Sequence, residues 1–138
     1  MRILLVDDSQ TMRSITRSVL CTIGAHEVEE AGDGREALEK MRSFVPELIL
    51  CDWNMPVMDG LEFVQMVRKA DQTTPIIMVT TESEMSKMMQ AIRAGVNHYV
   101  VKPFTPDVLR KRIQETLRAA ASGNAVQGVC PDSARMAA

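Results

Sequence analysis

The stretch LILCDWNMPVMDG, Leu48 to Gly60, joins four unbroken apolar residues to an aspartate, a proline and an Asp-Gly pair. Leu48 to Cys51 show no polar alternation. A strand of that kind is buried on both faces, as in the middle of a parallel sheet covered by helices. Asp52 closes it with a carboxylate, where a strand end needs only a turn residue. Pro56 then sets a turn, and Asp59-Gly60 reverses the chain into the next helix.

The same grammar extends outward in both directions. The runs ILLV (3–6), HEVEEA (26–31, weaker), ELILC (47–51), PIIMV (75–79) and HYVV (98–101) alternate with segments spaced for helices. Met12, Ile15, Val19 and Ile23 predict one helix face. Ala37, Leu38 and Met41 predict a second, and Leu61, Val64, Val67 and Arg68 a third. Met85, Met88, Met89 and Ile92, with Val96 beyond them, predict a fourth stripe facing the core, with Met88, at its margin, the one expected to be exposed. Leu109, Ile113 and Leu117 predict the last. Thr105, Pro106 and Asp107 read as an N-cap, a first-turn proline and an acid matched to the helix dipole. Gly24 and Gly95 stand where the first and fourth helices should stop.

Five rounds of strand and helix predict an α/β chain built on one doubly wound, five-stranded parallel sheet with helices on both faces. Glu27, Glu29 and Glu30 place the second strand at an edge. One domain is expected over residues 1–121. The segment 122–138, SGNAVQGVCPDSARMAA, loses periodicity and is expected to be a flexible tail, too short to fold as an output domain.

Several function classes drop out on composition. A formal net charge of −2 offers no broad basic field for nucleic acid or an anionic membrane. No apolar run is long enough to span a bilayer, and MRILLVDD lacks the features of a secretory signal, so the cytoplasm is the expected compartment. Cys21, Cys51 and Cys130 have no CxxC spacing, which fits neither a disulfide framework nor zinc. Cys21 and Cys51 are expected to be buried, and Cys130 to be a free thiol in the tail. His26 and His98 read as structural, and Arg13 and Arg17 as a solvated face. The glycines form no GxGxxG or P-loop, which argues against a nucleotide cofactor.

In an open parallel sheet, ligands bind beyond the carboxyl ends of the strands. Those ends carry Asp7-Asp8, Asp52, Thr80-Thr81 and Lys102-Pro103. Three carboxylates gathered there repel one another unless a hard divalent cation, Mg2+ by preference, and an ammonium group offset their charge. Metal, lysine and hydroxyl together suit the oxygens of a phosphoryl group, and a carboxylate can receive one. The site therefore reads as an aspartate that becomes phosphorylated.

The motifs VDDS, LCDWNMPVMDG, VTTES and YVVKPF, in that order, resemble those of the response-regulator receiver family over about residues 1–121. DWNMPVMDG with VVKPFT is most similar to the family's chemotaxis members. The resemblance implies strand order 2-1-3-4-5, the flavodoxin-like order, and a cis Lys102–Pro103 bond. It makes Asp52 the phosphoacceptor, Asp7 and Asp8 metal-binding acids, and Asn54 a metal ligand through its backbone carbonyl. Thr80 and Lys102 would bind the phosphoryl oxygens, and Tyr99 would turn inward as Thr80 moves. Asn54 and Glu82 match members whose phosphoryl group turns over quickly. Thr81 departs from the small residue usual at its position, and its branched side chain is expected to crowd Asp52.

The implied donor is a histidine kinase, and the implied target a protein such as the flagellar motor switch. The resemblance also allows for a phosphatase as a partner. On this reading the chain is a switch with self-catalysed phosphotransfer and autodephosphorylation, not an enzyme with an external substrate. A phosphorelay intermediate, passing the group to another histidine, is an alternative within the same chemistry. A phosphatase resembling the haloacid dehalogenases is a remote one, disfavoured because Asn54 stands where those enzymes carry a second, proton-donating Asp.

Overall fold

A computed structural model describes residues 1–24 and 27–121 of the chain. Its elements are β1 (Arg2–Val6), α1 (Gln10–Thr22), β2 (Glu27–Ala31), α2 (Gly34–Lys40), β3 (Leu48–Cys51), α3 (Gly60–Ala70), β4 (Ile76–Thr80), α4 (Met85–Ala94), β5 (His98–Val101) and α5 (Pro106–Ala121). The strands form one sheet of order β2-β1-β3-β4-β5. Every neighbouring pair is parallel, with Val6 opposite Cys51 and Thr80 opposite Val101. No described helix is long and apolar enough to cross a membrane. The expectations for His26, Cys130 and the 122–138 tail lie outside the described residues.

The apolar strands work because alternate side chains leave the sheet on opposite faces. Leu4, Val6, Ile49, Cys51, Ile76 and Met78 join Phe63, Val64, Val67 and Ala91 on the face covered by α3 and α4. Ile3, Leu5, Leu48, Leu50, Ile77 and Val79 join Val19, Leu20, Leu109 and Ile113 on the face covered by α1 and α5. Each Leu or Ile so buried contributes about 1.5–3 kcal/mol relative to exposure. β2 is an edge, with Glu29 partnered by Lys40 and Glu30 by Arg13 and Arg17. Both arginines are thus ion-paired across α1 and β2: Arg17 is exposed, as a solvated face requires, while Arg13 is partly covered.

Helix starts follow their capping residues. The Ser9, Asp33 and Asp59 side chains accept the N–H groups of Met12, Glu36 and Glu62. Asp59 and Glu62 complete a reciprocal capping box. The Thr105 hydroxyl accepts the N–H of Val108. Gly95 ends α4 in the left-handed region at φ 117°, and Gly24 follows α1 at φ 83°.

Two helix faces differ from expectation. On α1 the buried residues are Thr16, Val19 and Leu20, while Ile15 is exposed. On α4 they are Ala91 and Ile92, with Met88 packed on the core. Met85 and Met89 are exposed. In both helices a small or polar residue, Thr16 or Ala91, is buried, and a count of large apolar residues passes over it. Cys21 is exposed, against expectation, while Cys51 is buried.

The turn from α3 to β4 holds an acid-sensitive element. Burial alone would raise the Asp71 carboxyl, but the Thr74 hydroxyl, both N–H groups of Thr73 and Thr74, and the Thr73 hydroxyl bring it from 3.8 to about 2. A depressed folded-state value stabilises above pH 3.8 and is lost as pH falls toward 2. Asp71→Asn is therefore expected to flatten the acid limb of the stability curve between those values, removing about 1 kcal/mol after allowance for solvent screening. Urea unfolding of both proteins across that pH range checks it.

Candidate functional site

The carboxyl ends of β1, β3, β4 and β5 deliver their polar residues to one rim. Carboxylate oxygens of Asp7, Asp8 and Asp52 lie within 4.8 Å of one another. Lys102, reached through a cis bond to Pro103, places its Nζ 2.9 Å from Asp7 Oδ2 and 3.1 Å from Asp52 Oδ2. Burial would depress its pKa, but the Asp7 hydrogen bond and the charges of both acids outweigh that and raise it above the usual lysine value. Lys102 is therefore a full cation bridging two carboxylates.

Asp7 and Asp52 are tied into the surrounding chain as well. Asp7 Oδ1 accepts the Ser9 N–H, and the Asp7 carbonyl accepts Arg13 Nη1. Asp52 donates its N–H to the Val6 carbonyl at 2.9 Å and accepts the Trp53 N–H on Oδ1 at 2.6 Å. Its Oδ2 faces Lys102, and Asp8 is exposed. A hard cation with oxygen ligands at about 2.1 Å holds donors some 3–4 Å apart. Three carboxylates gathered within 4.8 Å of one another suit such an ion in chemistry. The neighbouring Cys51 thiol is no competitor as a nucleophile, since burial, then Asp52 and Asp7, push its pKa well up.

The β4 ending is organised around Glu82. Thr80 is fully buried, its carbonyl accepting the Lys102 N–H and its hydroxyl accepting the Glu82 N–H at 3.3 Å. The Glu82 carbonyl accepts the Tyr99 hydroxyl at 2.7 Å, and its carboxylate accepts Asn54 Nδ2 at 2.9 Å. Tyr99 is buried in the inward position. Burial, with the charges of Glu82 and Asp52, holds its pKa above the ordinary value, so the hydroxyl stays a neutral donor. Thr81 is exposed.

The loop carrying Asp52 is tight. Gly60 donates its N–H to the Trp53 carbonyl at 2.7 Å. At its apex Met58 donates to Pro56 at 2.7 Å across Val57 at φ 68°. That is a strained γ-turn, and it leaves a β-branched side chain 75% exposed. Two contacts at this rim went unread in the sequence: Arg13 on the Asp7 carbonyl, and Lys87 Nζ, 5.1 Å from the centroid of the Trp53 ring. Neither pairing leaves a periodic signal, because each joins residues from different elements.

Fold and rim together define a flavodoxin-like α/β protein with an acidic cleft bridged by a lysine at its strand ends. The sequence profile of the response regulator receiver domain matches residues 3–114. The chain belongs to that family. It is 45% identical over 120 residues to the chemotaxis protein CheY homolog of Campylobacter jejuni, covering 85% of this chain and 92% of that protein. Against chemotaxis protein CheY1 of Helicobacter pylori the identity is 44%, over 85% of this chain and 97% of that one. Among solved structures it is similar to Vibrio cholerae CheY4, with a TM-score of 0.77 and 42% identity over 83% of this chain and 96% of that chain. A CheY-like receiver domain from Methanospirillum hungatei gives a TM-score of 0.82 at 31% identity, over 88% and 97%.

Proposed function

We infer that residues 1–121 act as a phosphoacceptor switch in the cytoplasm, with Asp52 the phosphorylated residue. The observation that carries this reading is the Lys102 ammonium shared between Asp7 and Asp52, with Asp8 beside them. Asp8, Asp7, Asp52 and the Asn54 carbonyl would hold Mg2+, which when bound neutralises charge developing on the phosphoryl oxygens. An Asp52 oxygen attacks phosphorus. The bond to the donor breaks, its electron pair leaving on a kinase histidine nitrogen or on a small acyl phosphate's oxygen, and an acyl phosphate forms on Asp52.

Lys102 follows the negative charge from carboxylate to phosphoryl oxygen, and the Thr80 hydroxyl turns from the Glu82 N–H to donate to another. Phosphorylation thereby stabilises the inward Tyr99 and the α4–β5–α5 surface that goes with it. The relatives from Campylobacter and Helicobacter are named as chemotaxis proteins, which favours a flagellar motor switch protein as the target and a chemotaxis histidine kinase as the donor. A pull-down with the phosphorylated form separates this from a relay to another histidine.

Incubation with acetyl phosphate and Mg2+ followed by intact mass tests the reading. A labile phosphoryl adduct is expected, absent in Asp52→Asn. Steady turnover of phosphomonoesters without an adduct would overturn it in favour of a phosphatase.

Two further results are expected at this rim. Trp53 is the chain's only tryptophan and follows Asp52 directly, so its emission should change on Mg2+ titration. Unchanged emission, with binding shown by calorimetry, would count against the metal placement. Thr81→Ala is expected to speed both formation and loss of the adduct by about two- to tenfold, by easing approach to Asp52, as followed by mass against time.

A further inference from the structure

Lys87 sits where α4 breaks a local rule. It is in the first turn of Met85–Ala94, where the helix dipole favours an acid and disfavours a cation. That turn contains no acid, and Glu84 at the N-cap makes no side-chain capping bond. The starts of α1, α2 and α3 are all capped. The far end of α4 is firmly held. The Gly95 carbonyl accepts Arg68 Nε at 3.1 Å and Nη2 at 2.9 Å, and Nη2 also donates to Asn97 Oδ1 at 3.1 Å. A side chain at Gly95 would strike the Arg68 stem at 2.8 Å. The helix is thus pinned at its C-terminus and weakly built at its N-terminus.

The weak end carries a contact to the phosphorylation rim. Lys87 Nζ lies 5.1 Å from the centroid of the Trp53 ring, inside the range of a cation–π contact. Trp53 is 4% exposed, and its backbone N–H is bonded to Asp52 Oδ1. The ring is therefore held by its packing, on the residue next to Asp52, and the ammonium lies against that ring.

We propose that Lys87 is a positioning residue: its ammonium on the Trp53 indole holds the first turn of α4 to the loop bearing Asp52, and a charge added at Asp52 draws it off the ring. A phosphoryl dianion attracts a cation more strongly than an aromatic quadrupole does. The pinned Gly95 end stays in place while the uncapped end moves. The inference rests on Asp52 as phosphoacceptor, and the test separates the two.

Full-length wild type, Lys87→Met and Lys87→Arg are compared in Mg2+ by Trp53 emission and by amide exchange over residues 85–92. Met keeps the apolar stem and helix propensity; Arg keeps the cation. Without a phosphodonor, Lys87→Met is expected to shift Trp53 emission and to speed exchange in the first turn of α4 about three- to tenfold, with Lys87→Arg restoring both. Unchanged emission, or an Arg variant behaving like Met, overturns the contact. With acetyl phosphate, and the adduct verified by mass, wild-type emission should move toward that of Lys87→Met, and the variant should respond less. Equal responses in both overturn the coupling. Failure to form any adduct refutes the phosphoacceptor reading and with it the coupling, while the first arm still judges the contact.

Discussion

Lys102→Met is expected to slow accumulation of the acetyl phosphate adduct about a hundredfold or more, the scale on which removal of a preorganised charge-stabilising group acts. The ammonium touches both Asp7 and Asp52, and the side chains of all three are nearly buried. Methionine fills the same space without charge, so the loss is electrostatic. Two carboxylates then face each other with no cation between them, and breaking such a buried cluster costs about 3 kcal/mol of stability. The sign with pH is definite. Because the folded-state pKa of Lys102 is raised above 10.5, its stabilisation is complete below that value and is lost as pH rises through the higher one. Lys102→Met should abolish that alkaline loss. In the wild type the ammonium and Mg2+ share carboxylate oxygens, so Mg2+ should raise the melting temperature of Lys102→Met more than that of wild type. Mass against time, and thermal unfolding across the alkaline range with and without Mg2+, measure all four. A variant phosphorylated at the wild-type rate would remove Lys102 from the proposed chemistry.

Gly60→Ala should be the most damaging alanine substitution among the described glycines. A Cβ at this position would lie 2.1 Å from the Asp52 carbonyl oxygen and 2.9 Å from the Asp52 carbonyl carbon and Trp53 Cα. These are backbone atoms at the end of a central strand, tied to β1 by the bond from Asp52 N–H to the Val6 carbonyl. They cannot swing aside as a side chain would. Overpacking of this kind costs about 3 kcal/mol or more, and what yields is the loop that presents Asp52. Both stability and adduct formation should fall. Gly24→Ala is the control: it meets no atom within 4 Å, but its φ of 83° carries the left-handed penalty, about 1 kcal/mol. Urea unfolding of the two variants should separate steric from conformational cost, and a mild Gly60→Ala would contradict the close approach.

The strands and the edge were legible in residue type, because burial on both faces demands unbroken apolar runs. Leu48–Cys51 and Ile76–Thr80 show it, and the acids of β2 show the converse. Helix starts were partly legible, since an N-cap is local: Asp59 and Glu62 stand three apart and bond each other. Helix rotation was less so. Met85, Met89 and Ile15 look like core residues by spacing, yet they are exposed. The small Ala91 and polar Thr16 take the buried positions, because closeness between helix and sheet depends on volume as well as hydropathy.

The rim shows the same division. That Asp7, Asp8, Asp52 and Lys102 come to one edge follows from their places at strand ends, since parallel strands put every carboxyl end on the same side. Which carboxylate oxygen faces the ammonium, that Tyr99 rests on the Glu82 carbonyl, and that Lys87 lies over Trp53 came only with the packed chain. Side-chain direction across elements is settled by contacts between residues far apart in sequence, such as positions 53 and 87. Periodicity within a segment carries no information about them. Local order along this chain dictated its layers and the chemistry at their edge, and the meeting of distant side chains dictated how that chemistry is held.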